Sequence, residues 1–307
     1  MKKMKKIMAA AVAMMTFSTA AAVTGTVAWF TASNIVVADG IYLQADKEEG
    51  FVINNEGLVT ADWGASIKAS HDGKLSSEQA KFIPTSTADA INWYHANAEY
   101  QNNHEAAAGT VFTPLAVSEA AAGSGVYKAE ISDGMNKNLY LLNSFYLKAS
   151  TTAILNANGL WAKVSAESTE STSVSTALNN TLRVLVRYGT AEDTDNDGHA
   201  DGAYTYAGQN IWAPFRTSET DAARTYTVGG TSGTSVTAIR GDTAAQLGNA
   251  AVAIPANNLT NKDVNTFQVQ VFAYFEGEDV DCYSDNITAT LDKVSVTVKL
   301  STTSTIA

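Results

Sequence analysis

Thr266-Phe267-Gln268-Val269-Gln270-Val271-Phe272-Ala273-Tyr274 alternates large apolar with polar or small residues over nine positions. A period of two marks a strand with one buried face. Leu182-Arg183-Val184-Leu185-Val186-Arg187-Tyr188 alternates in the same way, and the pattern places Arg183 and Arg187 on the wet face. Asn138 to Ala149 reads as one long strand or two successive ones, and Thr288 to Leu300 closes the chain with Leu291, Val294, Val296, Val298 and Leu300. Near the start, Ile35-Val36-Val37 and Gly40-Ile41-Tyr42-Leu43 are strand-like, with Asp39-Gly40 as a turn or bulge between them. The expected class is all-β, a jelly-roll-like or Greek-key β-sandwich with short helices and loop insertions.

Helix is expected only locally, over Ser86 to Tyr100 and over Val174 to Leu182. Ser165 to Ser173 is a polar low-complexity loop. Residues 101–125 and 216–250 are rich in Ala, Gly, Thr and Asn and short of large apolar side chains, so they read as insertions or mobile loops.

The first residues have a different logic. Lys2, Lys3, Lys5 and Lys6 lead into an apolar run from Ile7 to Val23, then into Thr26-Val27-Ala28-Trp29-Phe30-Thr31. A positive start, an apolar stretch and small residues before a bond are what a signal peptidase reads, and the best cut follows Ala28. A membrane-anchoring helix is the alternative, but Thr16, Ser18, Thr19, Thr24 and Gly25 interrupt the run and no stop-transfer flank follows. The expected organisation is a signal peptide over 1–28, an N-terminal strand over 29–45 and one elaborated β-sandwich domain over 46–307. No stable membrane insertion is expected after cleavage.

Removing the four leading lysines takes 20 Lys+Arg to 16 against 31 Asp+Glu, so the formal charge falls from −11 to −15. Nucleic acid is excluded as a partner, because phosphate binding needs clustered cations and these are scattered. The single cysteine, Cys282, has no partner for an intramolecular disulfide and reads as a buried structural residue.

Gly25-Thr26-Val27-Ala28-Trp29-Phe30-Thr31 and Asn34-Ile35-Val36-Val37-Ala38-Asp39-Gly40-Ile41-Tyr42-Leu43-Gln44-Ala45 together resemble the TasA/camelysin-like family of secreted Gram-positive surface and biofilm-matrix proteins. Asn143 to Ser150, Leu182 to Val186 and Phe275 to Cys282 are similar to further blocks of that class. Ala32-Ser33 departs from the family, where many members carry Asp. The resemblance implies a jelly-roll or sandwich domain, maturation by a dedicated signal peptidase, export to the cell surface or biofilm matrix, and polymerisation into extracellular fibres with accessory matrix proteins. In that setting the segment freed by cleavage is suited to add as a strand to a neighbouring subunit, with Phe30, Ile35 and Val37 filling one face and Trp29 or Ile41 anchoring an end. The alternative is that 29–45 forms the first strand of its own sheet.

The sharpest chemical motif is Asp193-Thr194-Asp195-Asn196-Asp197-Gly198-His199-Ala200-Asp201. Oxygen side chains at positions 1, 3, 5 and 9, a glycine at 6 for the sharp turn and the carbonyl of His199 at 7 suit calcium. Tyr204 stands where an EF-hand carries its bidentate Glu, so the expected binding is weak, and a solvated turn is the competing reading. Glu276, Glu278, Asp279, Asp281 and Asp285 form a second acidic cluster that can bind a cation, cap a turn or solvate a loop. Catalytic signals are poor, and no enzyme is expected. His104-Glu105-Ala106-Ala107-Ala108 lacks the second His of a zinc-protease helix, so the metalloprotease activity described for camelysin is not carried across. The remaining alternatives are a calcium-binding adhesin or glycan-binding module using Trp63, Trp93 or Trp212, and a hydrolase acting through Glu276 or Glu278.

Overall fold

The computed structural model describes residues 38–45, 51–54, 66–68, 82–95, 115–120, 122, 125–130, 136–149, 160–168, 179–191, 204–228, 233–247, 266–279, 281–282, 294–301 and 303–306. The chain is all-β. In order its strands are β1 (Ala38–Ala45), β2 (Phe51–Asn54), β3 (Ser66–Lys68), β4 (Ser86–Thr87), β5 (Trp93–Tyr94), β6 (Val117–Glu119), β7 (Val126–Glu130), β8 (Asn136–Ala149) and β9 (Trp161–Ser168). There follow β10 (Leu182–Ala191), β11 (Tyr204–Ala213), β12 (Thr225–Val228), β13 (Thr234–Thr237), β14 (Ile239–Arg240), β15 (Ala244–Gln246), β16 (Thr266–Phe275) and β17 (Val294–Ser301).

The strands form two main sheets. The smaller has the order β15-β9-β17-β1-β3 and the larger β14-β11-β10-β16-β8-β7-β6, with β2 also paired to β8. The inner faces meet in one apolar core. Val164, Val294, Val296, Val298 and Leu300 of the small sheet pack with Phe145, Val184, Val186, Val269 and Val271 of the large one. Burying each such side chain contributes about 1.5–3 kcal/mol before the entropy cost of ordering it. The 14-residue β8 settles the reading of Asn138 to Ala149 as a single strand. It pairs with β7 along one part of its flank and with β2 along another.

The large sheet is also covered on its outer face. Leu185, Phe272, Tyr274, Leu139 and Tyr140 are buried there beneath Trp93, Tyr226 and Val228. The covers are two ribbons, β4-β5 and β12-β13. The first corrects the helix expected over Ser86 to Tyr100, of which residues 86–95 are described. Thr87 Oγ1 accepts from the Ala90 N–H at 3.0 Å, and Asp89 Oδ1 accepts from Ile91 and Asn92 N–H at 2.9 and 2.7 Å. These side-chain bonds tie a tight turn with Ala90 at φ 56°, which a helix cannot contain. Of the helix expected over Val174 to Leu182, a single turn at 179–181 is described, leading into β10.

The second cover corrects the reading of 216–250 as a loose insertion. Its described part holds a 3-10 turn (Ala222–Arg224), the β12-β13 ribbon, β14 and β15. Its polar chain is held by arginines bonding to carbonyls as well as by the few large buried apolar side chains, Tyr226, Val228 and Leu247. Arg224 Nη1 donates to Ala238 O at 2.7 Å, and Arg240 Nη1 donates to Thr217 O at 3.3 Å.

At the chain's start, β1 lies between β17, to which it is parallel, and β3. Its register slips between Ala38 and Gly40, the place where the sequence suggests a turn or bulge. Among the described residues no helix is long and apolar enough to cross a membrane.

Candidate functional site

Strand β16 ends at Phe275, and the chain then turns through Glu276 to Cys282. The turn is built by its own backbone, with Asp279 N–H donating to Glu276 O at 3.3 Å and Cys282 N–H to Asp279 O at 2.8 Å. Glu276 N–H donates to Thr181 O at 2.8 Å, and Gly277 N–H donates to Thr85 O at 3.2 Å. Three distant parts of the sequence are thereby sewn to one corner of the large sheet.

Side chains fill that corner with charge. Arg183 and Asp279 are fully buried and joined at 2.5 Å. The other guanidinium nitrogen of Arg183 donates to Asn180 O at 2.8 Å and Leu182 O at 3.0 Å. Arg216 holds Asp279 Oδ1 at 2.6 Å, Asp281 at 2.8 Å and Asp221 at 3.0 Å. Asp279 thus bridges two arginines while capping its own turn, its Oδ1 accepting from Asp281 N–H at 2.9 Å. Burial alone would lower the Arg183 guanidinium, but Asp279, with Tyr226 and Glu276, carries it above its ordinary value. This corrects the assignment of Arg183 to a wet face. Alternation tells which residues share a face, not whether another segment covers it.

Glu276 is fully buried beside this group. Ser86 Oγ and the Glu278 N–H both donate to its Oε1. Its Oε2 and the hydroxyls of Tyr226 and Tyr274 face one another without a well-formed hydrogen bond. Burial lifts the Glu276 carboxyl to about 7, against the opposing pull of Arg183, Ser86 and the Glu278 N–H. Glu278 rises to about 8 through burial and the charge of Glu276. Two arginines already face three aspartates here, Asp279 fully buried and Asp221 and Asp281 partly exposed, so a neutral Glu276 avoids a second fully buried negative charge.

The acidic run is therefore a closed structural lock. Asp279 and Asp281 are taken by arginines and Glu276 by Ser86. Glu276 and Asp279 each accept a turn N–H, so of the readings left open by the sequence, turn-capping describes these two and a solvated loop does not. Full burial also leaves Glu276 no face to offer a substrate. Among the described residues no group of three or more His, Cys, Asp or Glu converges as metal ligands. Cys282 is buried at the end of the turn, its thiol pushed well up by burial.

The other expected sites divide into two groups. Ala28, Trp29, Phe30, Ile35 and Val37 lie outside the described residues, as do Asp193, Asp195, Asp197, His199 and Asp201. Ile41 is in β1, opposite Val296 of β17. The calcium motif does fall within a hairpin loop of fixed ends, because Ala191 of β10 pairs with Tyr204 of β11. Trp93 and Trp212 are core residues, so neither offers a ring to a sugar. The Trp212 indole N–H is spent on Thr243 O at 2.9 Å. Arg183, Arg216, Ser86 and Tyr226 were not legible as one site, since they lie far apart in sequence and only the folded ribbons bring them together.

Compared with protein-family models, curated proteins and solved structures, the chain has no match.

Proposed function

We propose that this chain is a structural subunit of an extracellular fibre or cell-surface matrix, exported by its N-terminal signal and assembled by strand donation between subunits. The observation that carries the reading is an open sheet edge. β11 is ten residues long, with β10 along one side. Its other side is met, among the described strands, only by the two-residue β14 at Trp212 and Ala213. Unpaired backbone groups along such an edge are a template for an incoming strand. The Trp29 to Val37 segment is of matching length and carries the apolar side chains to seat there.

Seating four such side chains is worth on the order of 6–12 kcal/mol gross, from which the cost of association is subtracted. Donor and acceptor lie at different places on each subunit, so the contact propagates as a homopolymer unless it closes into a ring. The buried lock at Glu276 to Cys282 fits a subunit that must stay folded outside the cell without a disulfide. Calcium at Asp193, Asp195, Asp197, His199 and Asp201 would stiffen the hairpin loop near that same edge.

Deleting Trp29 to Val37 should leave a folded, soluble monomer by light scattering, while the intact mature chain forms fibres under negative-stain microscopy. Fibres of normal length from the truncated chain would end the strand-donation reading.

A further inference from the structure

The outer face of the large sheet continues past the part that the β4-β5 and β12-β13 ribbons cover, with Gln209 at the border, its Nε2 donating to Ala88 O of the first ribbon at 3.0 Å. Register places Gln209, Arg187, Gln270 and Ser144 in one row across β11, β10, β16 and β8. The next row along the strands is Tyr206, Gly189, Gln268 and Tyr146. All stand on the face opposite the inter-sheet core. Two details of backbone make the second row possible. The register of β10 with β11 slips between Tyr188 and Gly189, so that Tyr206 and not Ala207 stands beside Gly189. A Cβ on Gly189 would lie 2.6 Å from Thr205 O and 3.0 Å from the Tyr206 ring, so only glycine lets that ring settle over the sheet.

Arg187 is the centre of this surface. Its guanidinium lies 3.8 Å from the centre of the Tyr206 ring and 4.9 Å from that of Phe272. Its Nε donates to Gln270 Oε1 at 2.8 Å. The Tyr206 hydroxyl donates to Gln268 Oε1 at 3.1 Å, which fixes that amide by its oxygen and leaves its nitrogen to donate. Both glutamines are more than nine-tenths buried, so their amides are built into the floor.

No carboxylate among the described residues pairs with Arg187. The nearby Asp89 is occupied by the Ile91 and Asn92 N–H groups, and Glu119, near Tyr127, accepts from Gly125 N–H at 2.9 Å. Burial accordingly holds the Arg187 guanidinium below its ordinary value, with Tyr206 opposing. Asp89 acts on Arg187 only at a distance, so a half-buried guanidinium with no described carboxylate in contact has room for an anion.

Gln209 Nε2 is spent on Ala88 O and Gln270 Nε2 on Ser144 Oγ at 3.4 Å, so the Gln268 nitrogen is the amide donor this face offers. We infer that this face binds an acidic saccharide, with a uronate carboxylate on the outer nitrogens of Arg187, a sugar ring against the flanking tyrosines and a sugar hydroxyl on the Gln268 amide nitrogen. A guanidinium held flat by a ring presents its paired N–H groups to a carboxylate. Half-exposed tyrosine rings offer apolar faces to the C–H side of a sugar, and the Gln268 amide, fixed by its oxygen, supplies a directed polar contact for orientation. An acidic peptide would share the arginine contact, so polyglutamate is the comparison that separates it from a saccharide, and an added strand would take an edge, not a face. The site stands independently of strand donation, and in a matrix subunit it would tie protein to polysaccharide.

Titration calorimetry of the full chain with trigalacturonate tests it, with its methyl ester, cellotriose and polyglutamate as comparisons. Trigalacturonate should bind, and its methyl ester and cellotriose should bind at least about tenfold more weakly, the usual scale for losing one charge-assisted pair. Arg187→Gln should lose binding by the same factor with its melting temperature checked alongside. If that variant melts early, Tyr206→Leu and Tyr146→Leu are the readouts, each expected to weaken trigalacturonate binding. No saccharide heat, equal affinity for the methyl ester, or unchanged binding in the variants would overturn the inference. Binding of polyglutamate in place of the saccharide would overturn it in favour of an acidic protein partner.

Discussion

Glu276 sits where a negative charge is most costly, and the groups around it decide when it can be charged. Arg183 of β10 favours the ionised form, as do Ser86 of β4 and the Glu278 N–H, while burial and the neighbouring Asp279 oppose it. Tyr226 of β12 and Tyr274 of β16 supply hydroxyls on the remaining side. The folded carboxyl is lifted from 4.5 to about 7, so its contribution is complete below the unfolded value and is lost as pH rises through about 7. That difference corresponds to about 3 kcal/mol. Urea denaturation should therefore show stability falling between pH 5 and 8, and Glu276→Gln should flatten the fall. An unchanged slope in that variant would place the titration elsewhere.

Asp279 is the opposite case, a buried carboxylate joined to both Arg183 and Arg216. Asp279→Ala strands two buried cations at once and should cost about 3–5 kcal/mol in denaturant unfolding. Loss of less than 1 kcal/mol would mean that Asp221 and Asp281 take over both arginines.

At the scale of elements, Trp93 is the side chain that packs the β4-β5 ribbon onto the aromatic face of the large sheet. The Trp93 ring stacks on Tyr140 at 4.0 Å, meets Tyr274 edge-on at 5.2 Å and tilts against Phe272 at 5.9 Å. Trp93→Ala should cost about 3–5 kcal/mol and expose the outer face of the large sheet, read as a lower melting temperature with new binding of a hydrophobic dye. β10, β16 and β17 were legible from alternation because each offers large apolar side chains to one shared core. The covering ribbons were not. Their turns rest on Thr87, Asp89 and the arginines of 216–240, whose bonds depend on folded geometry and leave no period in the sequence. The same blindness put Arg183 in water. It also hid the surface around Arg187, which needs the register slip at Gly189 to exist.

Across the whole molecule, the loop between β10 and β11 joins the sequence's metal motif to a fixed frame. At about millimolar calcium and a Kd of about 0.1–1 mM, binding would add only ~0.4–1.4 kcal/mol. Melting with and without calcium should differ by a few degrees, and Asp195→Ala/Asp197→Ala should abolish the difference. A calcium shift that survives the double substitution would move the metal to another place.

The parallel pairing of β1 with β17 sets a timetable. A strand from the beginning of the chain waits for residues 294–301 before its longer neighbour exists, so the small sheet closes last during synthesis. Until then the chain is an unfinished sandwich, and in the exported subunit proposed above that delay would keep it loose enough to pass a narrow channel before it consolidates.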